Sequence, residues 1–310
     1  MKLNKTTLLF TLIGLAAMFV SERLSKSRQS VVWLNETEDK EISCAFSKDG
    51  LYWETLDKSI PAFKSLDDAY LMRSPSIARD MKDGFHRISI CEKQTEAFCY
   101  SHFNDLINWD KVKRIPAFDN QDSIIYVLDP KMIYDDSKKE WLIYWASTNA
   151  ERHDKLNKNH KIYAVSTSDF KTFSEPFVVF ASAHKALKAT IVKYNNGFVM
   201  FFLNKNHLSH QKQLRYASAK SINGPWEINP EILSESCTEE PIALAIDNSI
   251  FLYYKSKNAL QMTIKRSKDL KKWENLSNTA RLPLDFNNGS FIILTDKEAE
   301  RLRADLVKNQ

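Results

Sequence analysis

The residues able to do chemistry in this 310-residue chain are few and scattered. Glu239, in the run Glu239, Glu240 and Pro241, and Asp129, just ahead of Pro130, are carboxylates that could give or take a proton. An aspartate before a proline equally sets a turn, and Asp83 with Gly84 reads as a hairpin turn rather than a site. His86 sits on an apolar run, where a hydrogen-bonded core or channel histidine is commoner than a ligand-binding one. Trp145 ends another apolar run ahead of a polar loop. Its flat face suits the C–H groups of a sugar ring, with ordinary packing as the alternative. His153 and His160, on the long polar insert around 149–159, read as solvated. There is no Gly-rich phosphate loop and no acidic cluster of the kind that holds a sugar-nucleotide metal, which argues against a nucleotide-dependent transferase. The cysteines, Cys44, Cys91, Cys99 and Cys237, lack zinc-site spacing. Cys91 and Cys99 flank a hairpin turn and share a strand face, so a cross-strand disulfide and a pair of buried thiols are both open.

These groups need a scaffold, and the chain repeats itself. Five segments end a strand, pass a serine and a polar turn, and reach an aromatic: 45–53, 100–109, 164–173, 216–226 and 263–273. Their serines are Ser47, Ser101, Ser166, Ser218 and Ser267, spaced like four-stranded propeller blades. The serine and the neighbouring Asp or Asn are expected to tie down the turn, and the aromatic to pack between neighbouring sheets. Between these turns lie dense apolar strands at 85–90, 141–145, 198–203 and 250–254, each following a hairpin signal. Such strands should be covered on both faces, as inner blade strands are. A closing strand is expected at 289–294 and a short charged helix at 297–306. The expectation is an all-β, five-bladed β-propeller over residues 31–310 as one domain, with residues 1–30 as an N-terminal signal peptide or membrane anchor.

Charge and the N-terminus refine this. Five of the 44 basic residues, but only one of the 39 acidic ones, fall in residues 1–30, so the remainder is close to neutral. No basic stripe is present, and nucleic acid is not an expected partner. Lys2 and Lys5 precede an apolar run from Thr6 to Val20, the pattern of an export signal. The run is short for a spanning helix of about 20 residues. A cleaved signal, an uncleaved tether through residues 6–20 and a buried helix all stay open. The expected location is exported: secreted, periplasmic or membrane-tethered.

The order of several stretches resembles the family 43-like glycoside hydrolases, a five-bladed propeller group, over most of residues 42–300. They include Arg73 to Ala78, Asp83 to His86, Pro130 to Asp136, Ile143 to Ala146, Asp169 to Phe173, Ala189 to Lys193, Glu239 to Pro241 and Ser267 to Trp273. The resemblance implies three carboxylates at the inner ends of successive blades: a general base, a group tuning the acid, and the acid. An inverting cleavage needs a base for water and a protonated acid, about 6.5–9.5 Å apart. Carried over, the base position is Ser74 in Arg73, Ser74, Pro75 and Ser76. The tuning position is Lys188, ahead of Ala189, Thr190 and Ile191. Glu239 keeps the acid. A serine cannot take a proton near neutrality without an activator. A lysine beside Glu239 would favour its ionised form, a poor acid. Two family catalytic positions are thus substituted, leaving Glu239 as candidate acid and Asp129 as a weak substitute. Arg73 reads equally as ligand-facing or as a channel brace, and Arg73, His86, Trp145 and Thr190 are the ligand-binding candidates. No metal ligands are identified and no cofactor is expected, although the resemblance allows a structural Ca²⁺ in the channel. The expected function is a catalytically degenerate propeller acting on or binding plant- or algal-type oligosaccharides. The alternatives are an active exo-glycosidase using Glu239 with a substitute base, and a cell-surface protein-interaction propeller.

Overall fold

The computed structural model describes residues 29–36, 42–60, 72–80, 84–91, 97–107, 112–116, 126–148, 160–206, 211–234, 241–256, 259, 261–283 and 289–308. The apolar run 6–20, the insert 149–159, Trp109, Cys237 and Glu239 lie outside them. The chain starts with β1 (Gln29–Glu36), β2 (Ile42–Ser47) and β3 (Glu54–Ile60). A second sheet follows: β4 (Met72–Arg79), β5 (Phe85–Cys91), β6 (Ala97–Phe103) and β7 (Lys113–Pro116). The third is β8 (Leu128–Asp135), β9 (Glu140–Ser147), β10 (Lys161–Thr167) and β11 (Phe177–Phe180). The fourth is β12 (Lys185–Tyr194), β13 (Gly197–Lys205), β14 (Lys212–Ala219) and β15 (Glu227–Ile228). The fifth is β16 (Ile242–Ile246), β17 (Ser249–Tyr254), β18 (Thr263–Ser267) and β19 (Glu274–Asn275), and β20 (Ser290–Thr295) and helix α1 (Asp296–Lys308) end the fold. All five sheets are four-stranded, and β20 returns to pair with β1, completing the first blade. The innermost strands β20, β4, β8, β12 and β16 touch one another in a closed ring. The protein is a five-bladed β-propeller.

Apolar alternation drives the closure. Five clusters of buried side chains each fill the wedge between two adjacent blades. At the seam between the first and last blades, Trp33 is fully buried against Trp53, Tyr253 and Phe291, with ring centroids 5.5, 5.6 and 5.1 Å away. Each such pair contributes about 0.5–1.5 kcal/mol beyond its buried area. Gly289, just before β20, has φ +103°, and a Cβ there would lie 1.9 Å from the Leu34 carbonyl oxygen, so only glycine admits this strand. The apolar strands β5, β9, β13 and β17 are covered on both faces, as expected, but they are second from the axis. The innermost strands carry more polar residues because one edge of each faces the channel.

The repeat is real, but its serines are partly off register. Ser47 Oγ accepts the Gly50 N–H at 2.9 Å while Asp49 accepts those of Leu51 and Tyr52. Ser267 and Asp269 do the same for Leu270, Lys271 and Lys272. In the third blade the hydroxyl is that of Thr167, not Ser166. The N–H groups of Thr172 and Lys171 hold Asp169 below the usual carboxylate range. In the second and fourth blades the corresponding positions are Phe103 and Ala219, so neither Ser101 nor Ser218 closes the turn in this way. Four of the turns share an aromatic that packs back: Trp53, Phe173, Trp226 and Trp273 each sit in an inter-blade cluster. Helix α1 starts at a capping box. The Glu298 carboxylate accepts the Thr295 N–H at 2.7 Å, and Thr295 Oγ1 accepts the Glu298 N–H at 3.3 Å. Its Ala299, Leu302 and Leu306 cover the wedge between the first two blades. Among the described residues no helix is long and apolar enough to cross a membrane.

Candidate functional site

Three innermost strands break register at the same place. In β4 the pairing passes from Arg73 opposite Ile90 to Ser76 opposite Ile88, leaving Ser74 and Pro75 against Ser89 alone. In β8, Asp129 and Pro130 oppose Trp145 alone, and in β12, Leu187 and Lys188 oppose Leu203 alone. These are β-bulges, which re-aim a side chain at the price of ladder regularity. Ser74 and Asp129 take φ of +52° and +50°, values that non-glycine residues adopt at turns and strained functional positions. All three bulges lie near the N-terminal ends of their strands, in successive blades, and so share one end of the channel.

What they present is mixed. Asp129 is 4% exposed, and the Lys131 ammonium lies 3.2 Å from its Oδ1. Behind it Tyr144 is buried; its hydroxyl accepts the Ile191 N–H at 2.9 Å and bonds to Thr190. Burial holds the Tyr144 phenol well above its ordinary value. Thr190 is thus a buried link between β9 and β12. Side-chain bridges continue round the ring. Ser76 Oγ accepts the Met132 N–H at 3.3 Å, and Ser290 Oγ accepts the Ile77 N–H at 3.0 Å and donates to the Pro75 carbonyl at 3.1 Å. Next to the bulge of β5's neighbour, Arg87 is buried and donates from Nε to Ser89 at 3.1 Å. At the same end, the Tyr126 hydroxyl meets His160 Nε2, and the His160 carbonyl accepts the Ala186 N–H at 3.1 Å. Burial, aided by Lys185 and Lys205, pushes His160 down to about 4.

Several sequence expectations change here. His160 is half-buried and hydrogen-bonded rather than solvated, because β10 and β12 close over it. Trp145 is 1% exposed and packed among Ile88, Phe98 and Tyr163, so its indole has no face open to a sugar. It sits opposite a bulge whose own strand covers it. His86 is not brought to Asp129 or Thr190. It pairs with Ala78, about 13 Å along β4 from Ser74. There it meets Asp80 and His102, a grouping that the separation in sequence hid and only the β5–β6 register creates. The side chain of Arg73, like Glu239, lies outside the described residues. Cys91 and Cys99 form a disulfide with Cα atoms 5.6 Å apart, and Cys44 is a buried free thiol raised to about 12 by burial. A Ca²⁺ takes six to eight oxygens. Among the described residues the innermost strands offer carboxylates only from Asp129, engaged by Lys131, and from Asp135, bound in its own turn to Ser137. They do not assemble such a set.

Similar folds occur in glycoside hydrolases. A family 117 glycoside hydrolase of the marine bacterium Zobellia galactanivorans superposes with a TM-score of 0.56 at 12% identity, over 75% of this chain and 86% of that one. An endo-arabinase of Bacteroides thetaiotaomicron gives 0.58 at 12% identity, over 78% and 90%. An exo-β-1,3-galactanase of Phanerochaete chrysosporium, solved with β-1,3-galactotriose, gives 0.51 at 10% identity, over 64% and 48%. No curated protein matches the chain in sequence. The glycoside hydrolase family 43-related model, described as "Probable glycosyl hydrolase domain", matches residues 31–300, and this match shows that the chain belongs to that family.

Proposed function

We propose that the protein is a catalytically degenerate, carbohydrate-binding propeller of glycosidase descent, lacking two of the three family carboxylates, that engages oligosaccharides of the arabinan or galactan type at the bulged end of its channel. One observation carries this. The three bulged positions of successive blades hold a hydroxyl, an ion-paired carboxylate and an ammonium: Ser74, Asp129 and Lys188. The family resemblance sets Ser74 at the base position and Lys188 at the tuning position, with Glu239 as the candidate acid and Asp129 as a weak substitute. An inverting cleavage needs a carboxylate to activate water and a protonated acid opposite it. A serine hydroxyl is too weak a base to activate water near neutrality, and an ammonium at the tuning position does not keep an acid protonated as a carboxylate would. A donor-rich mouth suits the hydroxyls of a sugar, which bind by a few convergent polar groups. We further propose that the chain works outside the cytoplasm. The Cys91–Cys99 disulfide supports this, as does the apolar N-terminal run.

The test is to incubate the purified full chain with arabino- and galacto-oligosaccharides while following sugar release and binding heat. Binding without release is the expected result. Release that disappears in Glu239→Gln would establish an active exo-glycosidase with a substitute base and overturn the proposal. Neither binding nor release would make the propeller a protein-interaction scaffold.

A further inference from the structure

At the other end of the second blade, far from the bulges, three polar side chains converge. Asp80 follows β4, while His86 on β5 and His102 on β6 are directly paired across the sheet. Asp80 Oδ2 lies 3.6 Å from His86 Nε2 and 3.3 Å from His102 Nε2, and one donor atom from each of the three lies within 4.8 Å of the others. We propose that Asp80, His86 and His102 form a binding site for a Zn²⁺-like transition-metal dication.

Geometry is the first support. A tetrahedral ion with bonds of about 2.0–2.2 Å holds its ligand atoms about 3.4 Å apart. Both carboxylate-to-imidazole distances already fit. Any remaining gap between the two imidazoles closes by a small rotation of His102, whose side chain is 30% exposed. The second support is the setting of His86. Its Nδ1 lies 3.0 Å from the Tyr100 hydroxyl, and its ring is stacked on Phe170 at 4.2 Å with Trp141 edge-on at 4.9 Å. An Nδ1–H donating to Tyr100 leaves the Nε2 lone pair aimed at Asp80, the outer hydrogen bond that metal-binding histidines carry. The packed aromatics prevent the ring from turning away.

The backbone holds the third ligand. The Asp80 N–H donates to the Gly84 carbonyl at 2.9 Å. Gly84 has φ +96°, and a Cβ there would lie 2.4 Å from the Phe103 carbonyl oxygen, so the chain beside His102 passes too close for any other residue. All three ligands therefore lie on or directly after adjacent strands of one sheet, and no backbone rearrangement is needed. The donor set selects the ion. Two imidazoles and one carboxylate suit Zn²⁺, Co²⁺ or Ni²⁺ and are poor for Ca²⁺ or Mg²⁺, which take oxygen ligands. Three protein ligands leave a fourth position for water, and the partial exposure of Asp80 and His102 opens that side to solvent.

The experiment uses untagged full-length protein stripped with EDTA. It is titrated with Zn²⁺ by calorimetry and with Co²⁺ by visible absorption. The parent should take up one Zn²⁺ per chain at micromolar concentration or below and show the d–d bands of four-coordinate Co²⁺. His102→Gln and Asp80→Asn should each weaken Zn²⁺ binding by about 10-fold or more, whereas His160→Gln should bind as the parent does. Equal melting temperatures of EDTA-treated parent and His102→Gln would show that the loss is of a ligand and not of the fold. No uptake by the parent, or uptake unchanged in both ligand variants, would overturn the site and leave a metal-free His–Asp–His hydrogen-bond cluster. Should both variants fail to fold, the Co²⁺ spectrum of the parent decides, because an aqua-ion spectrum overturns the proposal.

Discussion

Replacing Lys131 by methionine tests how the bulged end of the channel is held. Asp129 and Lys131 have side chains only 3% and 12% exposed, with 3.2 Å between Oδ1 and Nζ. Removing one partner of a buried pair leaves a charge without its counter-charge, at a cost of about 3–5 kcal/mol. Unfolding entropy of about 2.1 cal/mol/K per residue over roughly 280 folded residues gives about 0.6 kcal/mol/K, so the melting temperature should fall by about 5–8 °C. Adding Asp129→Asn removes the stranded charge. The double variant should then recover most of the loss, with a coupling of about 2 kcal/mol or more from a double-mutant cycle in urea. A Lys131→Met protein within about 1 kcal/mol of the parent would refute the reasoning. So would a double variant no more stable than the single one, since the buried carboxylate would then not depend on its lysine.

Other expectations follow from the same geometry. Gly289→Ala should destabilise the ring closure by more than about 3 kcal/mol, because the new Cβ would collide with the Leu34 carbonyl at a positive φ; chemical denaturation reads this directly, and a change below about 1 kcal/mol would contradict the close approach. Reducing Cys91–Cys99, which closes a loop of sequence separation 8, should cost about 2.5 kcal/mol by loop entropy, measured as the difference in urea midpoint with and without reductant. Stability should decline as pH falls from about 6.5 towards 4, because the unfolded chain protonates His160 while the folded one, buried and with Lys185 and Lys205 nearby, resists until about 4; His160→Gln should flatten part of that slope, and an unchanged slope would count against it. The buried Cys44 thiol, raised to about 12, should stay unlabelled by iodoacetamide at pH 8 in the native state and react once unfolded; rapid native labelling would show that the first blade opens.

Much of the architecture was legible from residue order. The hairpins at Asn195–Asn196 and Asp247–Asn248 both take positive φ at both positions, as their composition requires. Trp53, Phe173, Trp226 and Trp273 pack where a blade needs a wedge, and the late strand and charged helix fall within two residues of expectation. These are local properties, set by turn chemistry and by alternation along single strands. Even so, the serine repeat slipped by one or two residues in three blades, because a threonine, a phenylalanine and an alanine serve equally well where the rest of the turn is held.

The site was legible only in part. Ser74 and Lys188 could be read as substitutions of family carboxylates, and Asp129 as a weak substitute carboxylate. That they occupy equivalent bulges in successive blades could not, since a bulge is a property of two paired strands. Trp145 has the composition of a sugar platform and the burial of a core residue, and its neighbours in the next blade decide between them. His86, His102 and Asp80 show no ligand spacing along the chain. They meet because the β5–β6 register sets two histidines face to face and the Gly84 turn brings the aspartate back beside them. The sequence alone determined the number of blades and where they turn, because each turn and strand is encoded within a few residues. Which side chains share a site was decided by tertiary structure, because cross-strand register and blade-to-blade packing join residues that no local pattern connects.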